Sequence, residues 1–584
     1  MARAGGSWNE YCIGNPFRMW GPWMGNMATS FFGMFRGANQ DDPLASVKAV
    51  RAWATGLPAN DPLGGLEAIV RLLENLGATQ PAVTANRIQA LLTLDQLSLP
   101  LQTDVLVQYR LPTLSDDVRR RLWHACNDMA RWFAYAYEHV YGGFGAGEDR
   151  SRPRQAAHAI LARMFYYRGL QAKLGLFHYE SWIPGSWRFL HNAYREACDL
   201  GVATEPYALA ETGGRFSTEQ EYLQILLLQR VNSGNLTAQQ VEWVALWLRG
   251  WVGALRLAAP PATGEGFWLD LGQGEGLLAK RPDSGAPDLL YLDVRPLHEQ
   301  LAAFIARLEA ELARSNAAQP DYRALDEQLR LARRVQALWQ PQAQPRARRG
   351  ERRAERRPVV VAAGWPAIIA AMRTGGSRRS SESHQYTYDD VLRLATLGKP
   401  QELQRDRYGN LVGRETDRHA WQVHDTSESG VRILSTAKEA QKLQIGALLA
   451  LQADGDTRWQ IGIVRRLRRR TADNTELGVE VISRHALTTT VTPPAARDSG
   501  YSVDGVDVST RGSGFQGLYL SPQEHARFLP VRSLILPASE FAPGRNLTIN
   551  VGAEVHDIRL FAPLEQSKDW VWTAFDIVLP ATPV

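Results

Sequence analysis

Between Arg414 and Gly430 the chain reads RETDRHAWQVHDTSESG, which sets Arg414 and Arg418 four residues apart and places Asp425, Ser427 and Gly430 in a D-x-S-x-x-G pattern. Guanidinium groups chelate phosphate oxygens, or the O6 and N7 edge of a guanine, through paired N–H donors, and they stack on bases. A lysine ammonium offers no such fork. An aspartate accepts from the N1–H and N2–H edge of guanine or orients an arginine. A serine hydroxyl beside a turn that only glycine permits brings backbone amides close to a ligand. These residue types suit gripping an anionic ligand, with two arginines on one segment closing on it from either side.

Other motifs point to structure. Gly272, Gly274 and Gly276 in LGQGEG lack the following helix and downstream acid of a dinucleotide fingerprint, and no Lys-Ser/Thr completes a phosphate loop, so they read as a hairpin turn. His124 and His139 lie fifteen residues apart, and His419 and His424 straddle the WQV stretch without a carboxylate at ligand spacing, so all four read as structural or surface residues with no metal. Arg465, Arg466, Arg468, Arg469 and Arg470 read as the solvated end of a strand, Arg465 sharing the parity of Ile461 and Ile463. Trp182, Trp187, Trp243, Trp247 and Trp251 read as helical core. No nucleophile, base and orienting group stand together, so the chain is not expected to be an enzyme.

The elements that must position the arginines change character along the chain. At 584 residues the sequence is too long for one core. Residues 1–40 read as an extension dense in Met, Trp and Phe. Residues 41–340 read as a helical domain, because apolar residues recur at three and four, as in Val118, Leu122, Cys126, Met129, Phe133, Tyr137 and Val140. Ser217 with Gln220, and Thr237 with Gln240, carry capping-box chemistry. A small β-hairpin is expected near 266–294, where GFWLDL and LLYLDV flank glycine-rich turns. Residues 341–398 read as an arginine-rich linker with short helices. The period then falls to two, as in Trp459, Ile461 and Ile463, and predicts a β-barrel over 399–490 and a further β-rich region over 491–584.

Charge narrows the partners. Residues 341–357 hold seven Arg and two Glu, leaving 59 basic and 59 acidic residues elsewhere, so a protein-wide basic face for nucleic acid is not expected. No aromatic interrupts that tract for base stacking. The 3 cysteines, Cys12, Cys126 and Cys198, are far apart, which favours a reducing compartment over a disulfide framework. No run approaches the apolar length of a membrane span, and the start lacks the pattern of a secretory leader, so the expectation is a cytoplasmic protein.

The arginine pair, the D-x-S-x-x-G pattern, W-x-I-G-I-V-R from Trp459 to Arg465 and E-L-G-V-E-V from Glu476 to Val481 together resemble the PilZ domain family over about residues 400–490. The order of helical domain, basic linker and barrel is similar to FimW-type effectors of Gram-negative bacteria. That resemblance implies a β-barrel that binds cyclic di-GMP, with Arg414 and Arg418 on guanine and phosphate and Asp425, Ser427 and Gly430 forming the strand and turn half of the site. It also implies a signalling effector whose helical domain engages an unidentified protein partner, with an output such as surface attachment. One departure stands out: only six residues separate Arg418 from Asp425, where the family places a full strand. Either that strand is lost or displaced, or Arg405 and Arg407 serve, with Arg465 as a further candidate. The alternative is a helical scaffold or chaperone-like protein with a degenerate barrel that binds no nucleotide.

Overall fold

Polar side chains set just before apolar stripes start the helices. In a computed structural model of the chain, Ser46, Asp61 and Thr84 each accept from the backbone N–H three residues on and open α1 (Val47–Ala54), α2 (Pro62–Thr79) and α3 (Ala85–Tyr109). The chain continues through α4 (Asp116–Gly143), α5 (Arg154–Phe177), α6 (Ser186–Asp199), α7 (Thr218–Arg230) and α8 (Ala238–Trp251). Three short strands follow, β1 (Leu257–Ala258), β2 (Phe267–Asp270) and β3 (Leu289–Leu292), and then α9 (Arg295–Arg314) and α10 (Pro320–Leu338). The structure describes residues 42–111, 114–143, 154–180, 185–208, 214–231, 234–261, 264–282, 288–316, 320–341, 353–375, 421–427, 430–453, 458–471, 474–484, 486–494, 514–520, 531–551 and 554–578.

The apolar period places the helical core. Leu122, Cys126, Met129, Phe133, Tyr137 and Val140 on α4 are all buried, whereas Val118 at the head of that stripe is exposed. At α7 the capping box forms in full: Ser217 Oγ accepts from Gln220 N–H at 3.2 Å, and Gln220 Oε1 accepts from Ser217 N–H at 3.0 Å. At α8 the Gln240 amide donates to Glu327 on α10 at 2.9 Å. The expected hairpin is a three-stranded sheet in the order β1-β3-β2. Trp187, Trp243, Trp247 and Trp251 are half-buried rather than fully enclosed. A polar group is nonetheless sealed in this core. Fully buried Asp95 takes a bidentate ion pair from Arg163 at 2.8 and 2.9 Å and accepts from the hydroxyls of Tyr137 and Tyr167 at 2.6 and 2.5 Å.

The last third is β. The first closed barrel has the order β4-β5-β6-β9-β8-β7, built from β4 (Arg353–Ala363), β5 (Trp421–Ser427), β6 (Gly430–Ser435), β7 (Leu448–Ala453), β8 (Gln460–Thr471) and β9 (Asn474–Ser483). The second has the order β10-β11-β12-β15-β14-β13, from β10 (Leu487–Thr492), β11 (Phe515–Leu520), β12 (Ser533–Pro537), β13 (Asn546–Val551), β14 (Glu554–Gln566) and β15 (Trp570–Ile577). The first strand of the first barrel comes from the stretch that composition reads as linker, and α11 (Trp365–Gly375) follows it. Residues 353–358 pair with β5 and VVVAA pairs with β7, and AIIAAM turns helical after Gly364, whose φ of +83° breaks the strand. The last strand before residue 490 closes the second barrel, not the first. Residues 1–40 and the part of the expected linker from residue 376 on lie outside the described residues.

The chain forms two compact units. The first takes the helical region up to residue 343 except His178–Ser181 and Asn232–Gln239, which belong to the second together with everything from Gln344. Within the second unit these two stretches finish an edge of the barrel. Strand β7 pairs with β8 only as far as Ile463; further along, Leu467 N–H donates to the Gly234 carbonyl at 2.7 Å and Arg469 N–H to that of Tyr179 at 2.9 Å. The Tyr179 ring enters the barrel core beside Val464 and Leu467, and its hydroxyl accepts from Ile445 N–H at 3.2 Å. A further core, with α11 and Trp459, Ile461 and Ile463 of the first barrel against Leu518, Ile535, Trp570 and Trp572 of the second, joins the two barrels. Among the described residues no helix is long and apolar enough to cross a membrane.

Candidate functional site

The D-x-S-x-x-G residues occupy the hairpin between β5 and β6. Trp421 pairs with Ser435 and Val423 with Ile433, and then His424 is skipped, so that Asp425 faces Arg432. This β-bulge reverses the parity of β5 and turns Asp425 away from the line of Trp421 and Val423 onto the face that Arg432 shares. The hairpin ends at the pair Ser427 and Gly430, where Ser427 Oγ donates to the Gly430 carbonyl at 3.2 Å. A side chain at Gly430 would meet the Val479 carbonyl of β9 at 3.1 Å, so glycine permits the close approach of β6 to β9.

Asp425 is almost buried, at 8% exposure, and its charge is met by Arg432, whose Nε lies 2.6 Å from Oδ2. The Nε–H is not aligned along this contact, which acts as an ion pair. Arg432 Nη2 donates to His424 Nδ1 at 2.6 Å, and Nη1 reaches Glu476 of β9 at 3.5 Å. Arg470 of β8 holds the other Glu476 oxygen at 2.9 and 3.1 Å. Burial pushes the Glu476 carboxyl up, but Arg470, Arg432 and Arg466 outweigh it and hold the group below its ordinary value. The hairpin thus carries a cluster of opposite charges, Asp425 and Glu476 with Arg432 and Arg470, beside His424.

The sequence-predicted residues divide. Asp425, Ser427 and Gly430 come together on one hairpin. Arg405, Arg407, Arg414 and Arg418 lie outside the described residues. Arg465 keeps the parity of Ile461 and Ile463, and that parity meets the second barrel. Its Nε contacts Glu480 at 2.6 Å, Nη2 contacts Glu565 of β14 at 2.7 Å, and Nη1 also pairs with Glu565. Burial disfavours the Arg465 charge, yet the two carboxylates more than restore it and raise the group above its ordinary value. Sequence reasoning missed Arg432, took Glu476 only as the start of a strand pattern and Arg470 as part of a solvated strand end, and set His424 aside. The available signal was Arg432 itself, two residues past Gly430 on a strand that must pair back onto Asp425. Among the described residues no cluster of His, Cys, Asp and Glu suits a metal ion.

Two family models match the chain. That of the cyclic-di-GMP receptor FimW, N-terminal domain, covers residues 48–262, and that of the cyclic-di-GMP receptor FimW, middle PilZ domain, covers residues 362–487. Together they span more than half of the chain, the first across the helices from α1 to α8 and the second across the first barrel from the end of β4. No curated protein is a significant match.

Proposed function

We propose, for a chain that belongs to the cyclic-di-GMP receptor FimW family, that it is a non-enzymatic signalling effector which binds cyclic di-GMP on the β5–β6 hairpin of its first barrel. In this reading Asp425, Ser427 and Gly430 form the fixed half of the site, and Arg414 and Arg418 bring the phosphate-gripping guanidinium groups. The ligand orders the segment that carries them, and the helical region passes the change to a protein partner in the cytoplasm, with surface attachment as output. Neither a cofactor nor a metal takes part.

The observation that carries the reading is the bulge at His424, which aims Asp425 sideways onto a charged cluster beside the glycine turn. A carboxylate buried only for stability would have no need of that re-aiming. Calorimetric titration of the full chain with cyclic di-GMP tests it: saturable heat that weakens after Arg414→Ala or Arg418→Ala is expected, and no heat with the native chain rejects it. The scaffold reading draws support from Asp425 already having Arg432 as counter-ion, and it requires the same partners to be captured with and without the nucleotide.

A further inference from the structure

Arg432 stands directly across the ladder from Asp425, on the face to which the bulge turns that carboxylate. Asp425 and Glu476 both face Arg432, so its charge already meets two carboxylates before any ligand arrives. An arginine so neutralised is poorly suited to a phosphodiester, which needs net positive charge, and well suited to the neutral acceptors of a base. The group has donors to spare. A guanidinium carries five N–H bonds; among the described residues His424 and Glu476 each accept one, and the Arg432 side chain keeps 30% of its surface exposed. His424 and Asp425 also fix its plane from two sides, which preorganises a fork.

We propose that Arg432 reads the O6 and N7 edge of one guanine of the bound cyclic dinucleotide, held in plane by Asp425 and His424, and so sets the choice of guanine over adenine. This rests on the reading of the hairpin as the nucleotide site. It gives Asp425 the task of orienting an arginine rather than touching the base, and it leaves the phosphates to Arg414 and Arg418. Adenine presents N7 beside an amino donor, so the same fork meets one acceptor and one repelling N–H. His424 is a positioning residue here, acting through Arg432.

The test is titration of the full chain and of Arg432→Lys with cyclic di-GMP and with cyclic di-AMP, alongside circular dichroism and thermal melting. Lysine keeps the charge and removes the fork. With fold and melting unchanged, the expected result is a loss of about tenfold or more in affinity for cyclic di-GMP and a change within about twofold for cyclic di-AMP. Equal losses for both nucleotides, or none for either, overturn the guanine-edge contact while leaving the function reading in place. A native chain that binds neither nucleotide overturns that reading and this one with it. Should Arg432→Lys fail to fold, His424→Gln takes its place: discrimination is expected to fall about threefold, and an unchanged ratio overturns the proposal.

Discussion

Arg469 and Arg470 are neighbours on β8 and hold different parts of the second unit. Arg470 grips Glu476, the carboxylate that also faces Arg432. Arg469 donates from Nη1 to the His178 carbonyl at 2.7 Å, while its backbone N–H holds that of Tyr179 at 2.9 Å. Successive side chains leave a strand on opposite faces. One strand therefore carries the charged cluster on one side and the borrowed segment on the other, and a displacement of β8 on ligand binding would be felt at both.

The seam at Arg469 should respond to pH. The backbones of Glu180 and Arg469 form an isolated β-bridge, and burial pushes the Glu180 carboxyl up to about 7, against the pull of that arginine. An acid whose folded value lies above its unfolded one is neutral in the fold while the unfolded chain ionises, so its stability contribution declines as pH rises from about 4.5 towards 7 and stays low beyond. Glu180→Gln should therefore raise the melting temperature above pH 7 relative to the native chain and change it little at pH 4.5. Melting curves across that range check this, and parallel pH profiles for the two proteins would refute it.

Gly234 should tolerate no side chain. Its φ is +68°, and an added Cβ would lie 2.4 Å from the Leu467 carbonyl, a backbone atom that cannot swing aside. Gly364 has a φ of +83° but open space around it. Gly234→Ala is expected to cost about 3 kcal/mol of stability and Gly364→Ala about 1 kcal/mol, as read from denaturant unfolding of the full chain. Equal costs would show that the approach to Leu467 is not tight.

Removing Asp95 should be among the costliest changes in the helical unit. It would leave Arg163 charged, buried and without its bidentate partner, and would strip an acceptor from the Tyr137 and Tyr167 hydroxyls. Asp95→Ala is expected to destabilise that unit by about 3 to 5 kcal/mol. Tyr137→Phe, which deletes one hydroxyl and leaves the ion pair, should cost about 1 kcal/mol. Calorimetry of each variant gives the comparison.

Arg465 joins the barrels, since Glu480 lies in the first and Glu565 in the second. Each of its nitrogens meets a carboxylate, so Arg465→Ala is expected to lower stability by about 1 to 2 kcal/mol and to leave cyclic di-GMP affinity unchanged. An affinity loss with no loss of stability would assign it to the ligand instead.

Much of this architecture was legible. The stripe from Leu122 to Val140 and the box at Ser217 follow from local rules and are present as read. The parity of Trp459, Ile461, Ile463 and Arg465 was also visible, but not that it faces a second barrel, because period two marks a buried side without saying what covers it. Residues 353–363 escaped notice as a strand since their arginines and apolar run blur alternation; β4 is defined by its partners, β5 along its first half and β7 along its second. The spacing of Asp425, Ser427 and Gly430 puts them on one hairpin, whereas Arg432 and Glu476 join them only through strand register. The bulge that brings Asp425 to Arg432 leaves no mark in composition.

The two loans that finish β8, at Tyr179 and Gly234, have a consequence for inheritance. A gene fragment beginning after the helices would encode a barrel with an open seam, its tyrosine plug missing and two amides facing water. Such a cassette could not be traded between proteins as a free-standing sensor. The barrel is whole only when the turns at Tyr179 and Gly234 are encoded with it.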